Sequence, residues 1–384
     1  MRSTILYYST AVLAACAFAS PISIRDEAGV PHNGGGHSYH GDKGHSYKGG
    51  EDDGDYGSGG EAQHTGGTGV FSFPLPDGFP NPSPDQINDI QIRAHGNLPN
   101  TPLPTNLSPE GITNFKLIAF NELFEVAFFY ELVQNITNDV QGYAFGGQKD
   151  KILEDLQVIV AVEELHALSP CKYSFPVTDY DSAIALAATF TDIVLGTLQD
   201  VNQIFSQNGD NAPVRLVSSV IGNEGEQEGL FRVIQEKTTP AQPFLTTSVR
   251  DFAFTAIQGF VVPGSCPNID TIPLTTFKPL NVLTQNILPK TQTLEFSFEV
   301  GDYTGDLNAL SLVLVNALNT PIVETLDNLQ NENGVVTFTA GFPFDQYLLH
   351  GLTIAAVTNS AGPFADADAV AQNTIFAPGL IEVE

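Results

Sequence analysis

The sequence predicts a multidomain α+β protein: a four-helix bundle with an extra C-terminal helix over residues 105–268, followed by a small all-β, sandwich-like domain over residues 270–384. Two patterns carry this expectation. Between about 110 and 265, apolar side chains recur at steps of three and four, the period of a helix with one buried face. Beyond 290 they alternate with polar ones, the period of a half-buried strand. Composition adds a third observation. Residues 20–104 are rich in Gly, His and Asp and then in Pro, too poor in apolar content for a core, and are expected to form a disordered arm.

Four long helices are expected, in order. The first runs near Gly111 to Asn138, behind the start signal Ser108-Pro109-Glu110, with Phe115, Ile118, Glu122, Glu125, Phe129 and Leu132 on one stripe. The second runs near Asp150 to Leu168, aligns Ile152, Leu156, Ile159, Glu163 and His166, and stops at Pro170. The third, near Ser182 to Gln207, aligns Ala185, Ala188, Asp192 and Leu195. The fourth, near Pro213 to Lys237, aligns Val217, Val220, Ile221, Glu224, Glu228 and Phe231, and an apolar fifth segment covers Ser248 to Val262. Short polar links make the first and last pairs antiparallel. The link from Ser169 to Asp181 contains two prolines and reads as extended. A dozen extended residues reach about 40 Å, the length of such a bundle. One long crossover between the second and third helices is the connection of a ferritin-like bundle.

The β part is read from four runs. Leu294, Phe296, Phe298 and Val300 alternate with Glu295, Ser297 and Glu299; Leu310–Val315, Val335–Thr339 and Leu352–Thr358 follow, separated by turn residues.

Residues 1–19 have the order of a signal peptide: Arg2, an apolar run from Ile5 to Phe18, and the small-x-small triplet Ala17-Phe18-Ala19. The run is short for a membrane span, and no later segment offers eighteen uninterrupted apolar residues, so no membrane anchor is expected. Export places the protein outside the cell or in its wall. Of three cysteines, Cys16 leaves with the leader, and Cys171 and Cys266 remain; in an oxidising compartment they read as one disulfide. Asn106 and Asn135 stand in glycosylation sequons. Asn135 lies about 220° round the first helix from Glu122, so it is expected to face solvent. A net charge of −29 argues against nucleic-acid and anionic-membrane partners. Contact with wall or matrix is left to the β domain.

The chemistry lies in the helices. Each of the four places a carboxylate in its apolar stripe: Glu122, Glu163, Asp192 and Glu224. Carboxylates among apolar neighbours are expensive unless paired or bound to metal. Di-iron bundles use one Glu from each of two helices and a Glu-x-x-His from each of the other two. Here the second helix has the full pair, Glu163 and His166. The fourth has Glu224 with Gln227 in the histidine's place, a weaker ligand for iron than imidazole. Glu125 and Glu228 supplement the set. The expected cofactor is therefore iron or another divalent metal, with the second ion of a pair in doubt. His32, His37, His40, His45 and His64 in the arm offer a looser site for copper, nickel or zinc. There is no Gly-x-Ser-x-Gly, no HExxH and no phosphate-binding glycine loop.

The segments NFKLIAFNELFEVAFFYELVQNIT, VAVEELHALSPCKYSFP and SSVIGNEGEQEGLFR resemble those of the fungal late-sexual-development and stress-response family of secreted ferritin-like proteins, whose domain plant desiccation-related proteins share. The resemblance covers roughly residues 105–268. It implies a ferritin-like fold and expression during nutrient stress or fruiting-body development, and it maps the metal positions of such bundles to Glu122, Glu163, His166, Asp192, Glu224 and Gln227. It implies no reaction, and no catalytic residue is assigned. Three readings stand: a non-catalytic secreted scaffold with a degenerate metal site, a di-iron or di-manganese oxidase or ferroxidase, and a metal scavenger acting through the arm.

Overall fold

The computed structural model describes residues 69–99, 104, 106–165 and 171–383. The leader, the histidine tract of the arm and His166 lie outside these residues. The described chain is mixed helix and sheet, with helices first and two four-stranded antiparallel sheets after them.

The proline-rich end of the arm is not a spacer, which corrects the expectation of disorder up to residue 104. Ser83 opens helix α1 (Pro84–Arg93) with a capping box to Gln86, and Pro84 sits in the first turn, where its missing N–H costs nothing. Leu75, Phe79 and Ile90 are buried. Arg93 Nη2 lies 2.5 Å from Asp77 Oδ2 and 3.1 Å from Glu164 Oε2, and the Glu164 side chain is wholly buried. This ion triad fastens the segment across the end of the second long helix.

Helix α2 (Pro109–Thr137) is capped by Ser108, whose Oγ accepts from the Gly111 N–H at 2.9 Å and donates to Asp210 Oδ2 at 2.5 Å. Helices α3 (Lys149–Glu164), α4 (Tyr180–Gln207), α5 (Val214–Ile234) and α6 (Arg250–Gln258) follow. Asp179 caps α4 and Ser182 completes the box. By length and composition α4 is apolar enough to cross a membrane, and 67% of its most apolar stretch is buried inside the protein, so it serves as a core helix. Between α3 and α4 the described residues 171–179 run extended: Tyr173 bridges to Phe71 on one side and Val261 on the other. Cys171 and Cys266 are joined by a disulfide, with Cα atoms 4.4 Å apart, as the two-cysteine count foretold.

The sheets are ordered β1-β2-β6-β5 and β4-β3-β7-β8. The first holds β1 (Leu280–Val282), β2 (Gln292–Glu299), β6 (Val335–Phe342) and β5 (Asp327–Glu332). The second holds β4 (Ile322–Thr325), β3 (Ser311–Asn316), β7 (Gly351–Thr358) and β8 (Thr374–Val383). Every residue of β3 and β7 is buried. Leu312, Leu314, Ala355 and Val357 pack against the first sheet, while Val313, Val315, Ile354 and Ala356 join the core of the helices. Alternate residues of a strand point to opposite faces, so the central sheet is the middle of three layers, with helices on one side and a sheet on the other.

Gly196 of α4 marks how closely helices and connections approach. A Cβ there would run into the carbonyl oxygen of Thr246 and lie 3.0 Å from Ser248 N. Both partners are backbone and cannot turn aside. Gly196→Ala is expected to lower stability by about 2 kcal/mol despite alanine's better helix propensity, because overpacking outweighs it. Urea unfolding measures this, and an unchanged midpoint would contradict the tight crossing.

Candidate metal centre

The inner face of the helices carries four acids that meet. Glu122 and Glu125 stand one turn apart on α2, Glu163 on the last turn of α3 and Glu224 midway along α5, all buried. One carboxylate oxygen from each lies within 4.8 Å of the others. The i, i+3 step on α2 brings its two acids to one face, and α3 and α5 supply the remaining pair.

Their electrostatics follow from this crowding. Burial first, and then the charge of Glu163, hold the Glu122 carboxyl well above the usual carboxylate range. Burial, then Glu163, then Glu122, do the same to Glu125. Four such groups cannot all be ionised together in an apolar interior without a cation among them. Gln227, one turn after Glu224, donates its Nε2–H to Glu163 Oε1 at 2.7 Å. That bond orients the glutamate. It leaves Gln227 Oε1 buried with no hydrogen-bond donor, while the Asn121 side chain partly offsets the crowding at Glu125. An orphaned buried oxygen beside crowded carboxylates fits a cation, which would satisfy all of them at once.

Two expected positions fall elsewhere. Asp192 is half-buried on α4 and is not among the converging acids. Its charge acts instead on Glu382 of β8, a buried carboxyl raised by desolvation, then by Asp192 and Glu228, with Lys237 and Arg232 opposing. The cluster is therefore built from three helices, not four. The error has a physical source. Helix α4 is apolar on nearly every side, and Ala185, placed on the same stripe as Asp192, is exposed; the buried face runs through Ile184, Ala187, Ala188 and Thr191. Glu228 likewise turns toward the helix–sheet junction, 4.0 Å from Arg232 Nη1, whose Nε donates to the Thr238 carbonyl at 2.8 Å.

Asn135 does not face solvent, which removes it as a glycan acceptor. It is 3% exposed. An angle of 220° from Glu122 means solvent only on a helix with a wet side. The helix is central, buried nearly all the way round, and covered on its far side by other segments. Asn106 is exposed.

No protein-family model matches the chain, and no curated protein matches it. The assignment of the carboxylate cluster therefore rests on its own geometry and donor chemistry.

Proposed function

We propose that the helical part is a ferritin-like scaffold that holds one metal ion between Glu122, Glu125, Glu163 and Glu224, in an extracellular protein without catalytic activity. The convergence of four buried glutamates carries the reading. The donors are carboxylate oxygens with a carboxamide oxygen at the rim, a set suited to hard cations such as Mn(II) or iron. When bound, the ion supplies the positive charge that the cluster lacks. The protein's own part is to hold Glu163 through the Gln227 amide and to keep water out with buried Phe129 and Phe231, whose stacked rings lie 5.7 Å apart. A glutamine at residue 227 and the absence of Asp192 from the cluster support one ion over a pair. The disulfide supports an oxidising, extracellular setting. Its resemblance to the fungal secreted family extends the reading to a role in nutrient stress or sexual development.

Metal analysis of the purified full-length chain, with calorimetric titration of Mn(II) and Fe(II), tests this. Near one ion per chain is expected, with a rise in thermal midpoint. No ion above background and no shift with either metal would sink it, and two ions with oxygen uptake would replace it with an oxidase.

A further inference from the structure

Helix α5 is built unlike its neighbours. Gly222, Gly225 and Gly229 fall within eight residues of its middle, and a Cβ at any of them would meet nothing within 4 Å. Neither packing nor a tight approach accounts for them. Each glycine lowers helix propensity about fivefold relative to alanine. Nor does burial compensate. The fully buried residues of α5 are Val217, Glu224, Gln227, Glu228, Phe231 and Arg232, of which only two are apolar; Val214, Val220, Ile221, Leu230 and Ile234 reach the core only half-buried. Helix α4, by contrast, buries a long apolar series from Ala183 to Phe205. No side chain caps the start of α5, where Pro213 holds the N-cap position. A helix with weak propensity, little apolar burial and no cap opens locally at low cost.

Two of the polar side chains that α5 buries are aimed at the carboxylate cluster: Glu224 is one of its four acids, and Gln227 bonds another; Glu228 and Arg232 turn to the helix–sheet junction. The Gln227 Oε1 that is left over is buried without a hydrogen-bond donor, beside the crowded Glu125 and Glu122 carboxyls. Resting on the metal reading above, we infer that α5 is a metal-locked element: it opens and closes locally in the metal-free protein and is fastened by the cation. A cation seated on Glu224 ties α5 to α2 and α3 and supplies the attraction that its sequence withholds. Cation binding and the folding of this one helix are then linked, each favouring the other.

Hydrogen exchange on the full-length protein, with and without saturating Mn(II), reads this directly. In the chelator-treated protein, amides of Val214–Ile234 are expected to exchange at least tenfold faster than those in the middle of α4. Mn(II) should slow them at least tenfold and leave α4 unchanged. The triple variant Gly222→Ala, Gly225→Ala, Gly229→Ala should slow exchange of α5 without metal and shrink the Mn(II) effect. Calorimetry on the same samples separates the two claims. If Mn(II) binds while α5 exchange is unchanged, or if α5 is as protected as α4 before metal is added, the locking inference is overturned and the site survives. If no Mn(II) binds, the metal reading and the locking inference fall together.

Discussion

Glu125→Gln is expected to abolish cation binding while making the metal-free protein more stable. The two effects share one cause. Glu125 is buried beside the like charges of Glu163 and Glu122, with the Asn121 side chain as its counterweight, so its charge is an asset only when a cation is present. Removing an anionic ligand should weaken Mn(II) binding by about a hundredfold or more, in line with about 3 kcal/mol for a buried ion pair broken on one side. In chelator the neutral amide removes like-charge repulsion and is expected to add about 1–2 kcal/mol. The pH dependence has a definite sign. The folded carboxyls of Glu122 and Glu125 are raised above their unfolded value near 4.5, so the folded state binds protons more tightly. Metal-free wild type should therefore lose stability as pH climbs from 4.5 through the raised values, and Glu125→Gln should flatten that fall. Urea unfolding in chelator between pH 5 and 8, beside a Mn(II) titration at pH 7, measures both. A variant that is less stable than wild type at pH 8 without metal would refute this account of the cluster.

Breaking the disulfide should have the largest effect on stability. The bridge spans a sequence separation of 95 residues, and the chain-entropy model assigns about 4–5 kcal/mol to a loop of that size. Cys171→Ser or Cys266→Ser, or reduction of the wild type, is expected to lower the thermal midpoint by about 10 °C, at roughly 2–4 °C per kcal/mol. The loop includes α4, α5 and α6, so the loss should appear in helical signal as a single shifted transition. An unchanged midpoint after complete reduction would mean that helix packing alone sets stability.

How much of this was legible in the sequence differs by element. The long helices were, because three- and four-residue spacing persists over many turns and the cap at Ser108 marks the first start; the cap at Asp179, three residues before the expected start of α4, went unread. Strand β2 was, because its alternation survives in the burial of Leu294, Phe296 and Phe298. Strand β5, DNLQNE, was not: it is an exposed edge strand with little buried on either face, so it lacks the alternation that announces a strand. Strand β8 hides behind Pro378, which interrupts the ladder. Helix α1 lay in text whose prolines read as a linker, though Pro84 is a helix starter. In the site, Glu122, Glu125, Glu163 and Glu224 were all named from the sequence, since a carboxylate in an apolar stripe is conspicuous. Asp192 and Asn135 were misplaced for one reason. On a helix apolar nearly all round, periodicity shows that it is buried without showing which way any residue points.

The Phe71–Tyr173–Val261 bridges, lying beside the disulfide, have a mechanical meaning. They join the start of the described chain to the crossover link and to the segment after α6. A pull on the N-terminal side would pass through these bridges and the covalent bond into the last part of the chain, bypassing the helices between. Those 95 residues form a closed loop of about 330 Å contour length, which no tension can draw out while the bond holds. Oxidation then sets how far this part of the chain can be stretched, with α4, α5 and α6 kept out of the line of force.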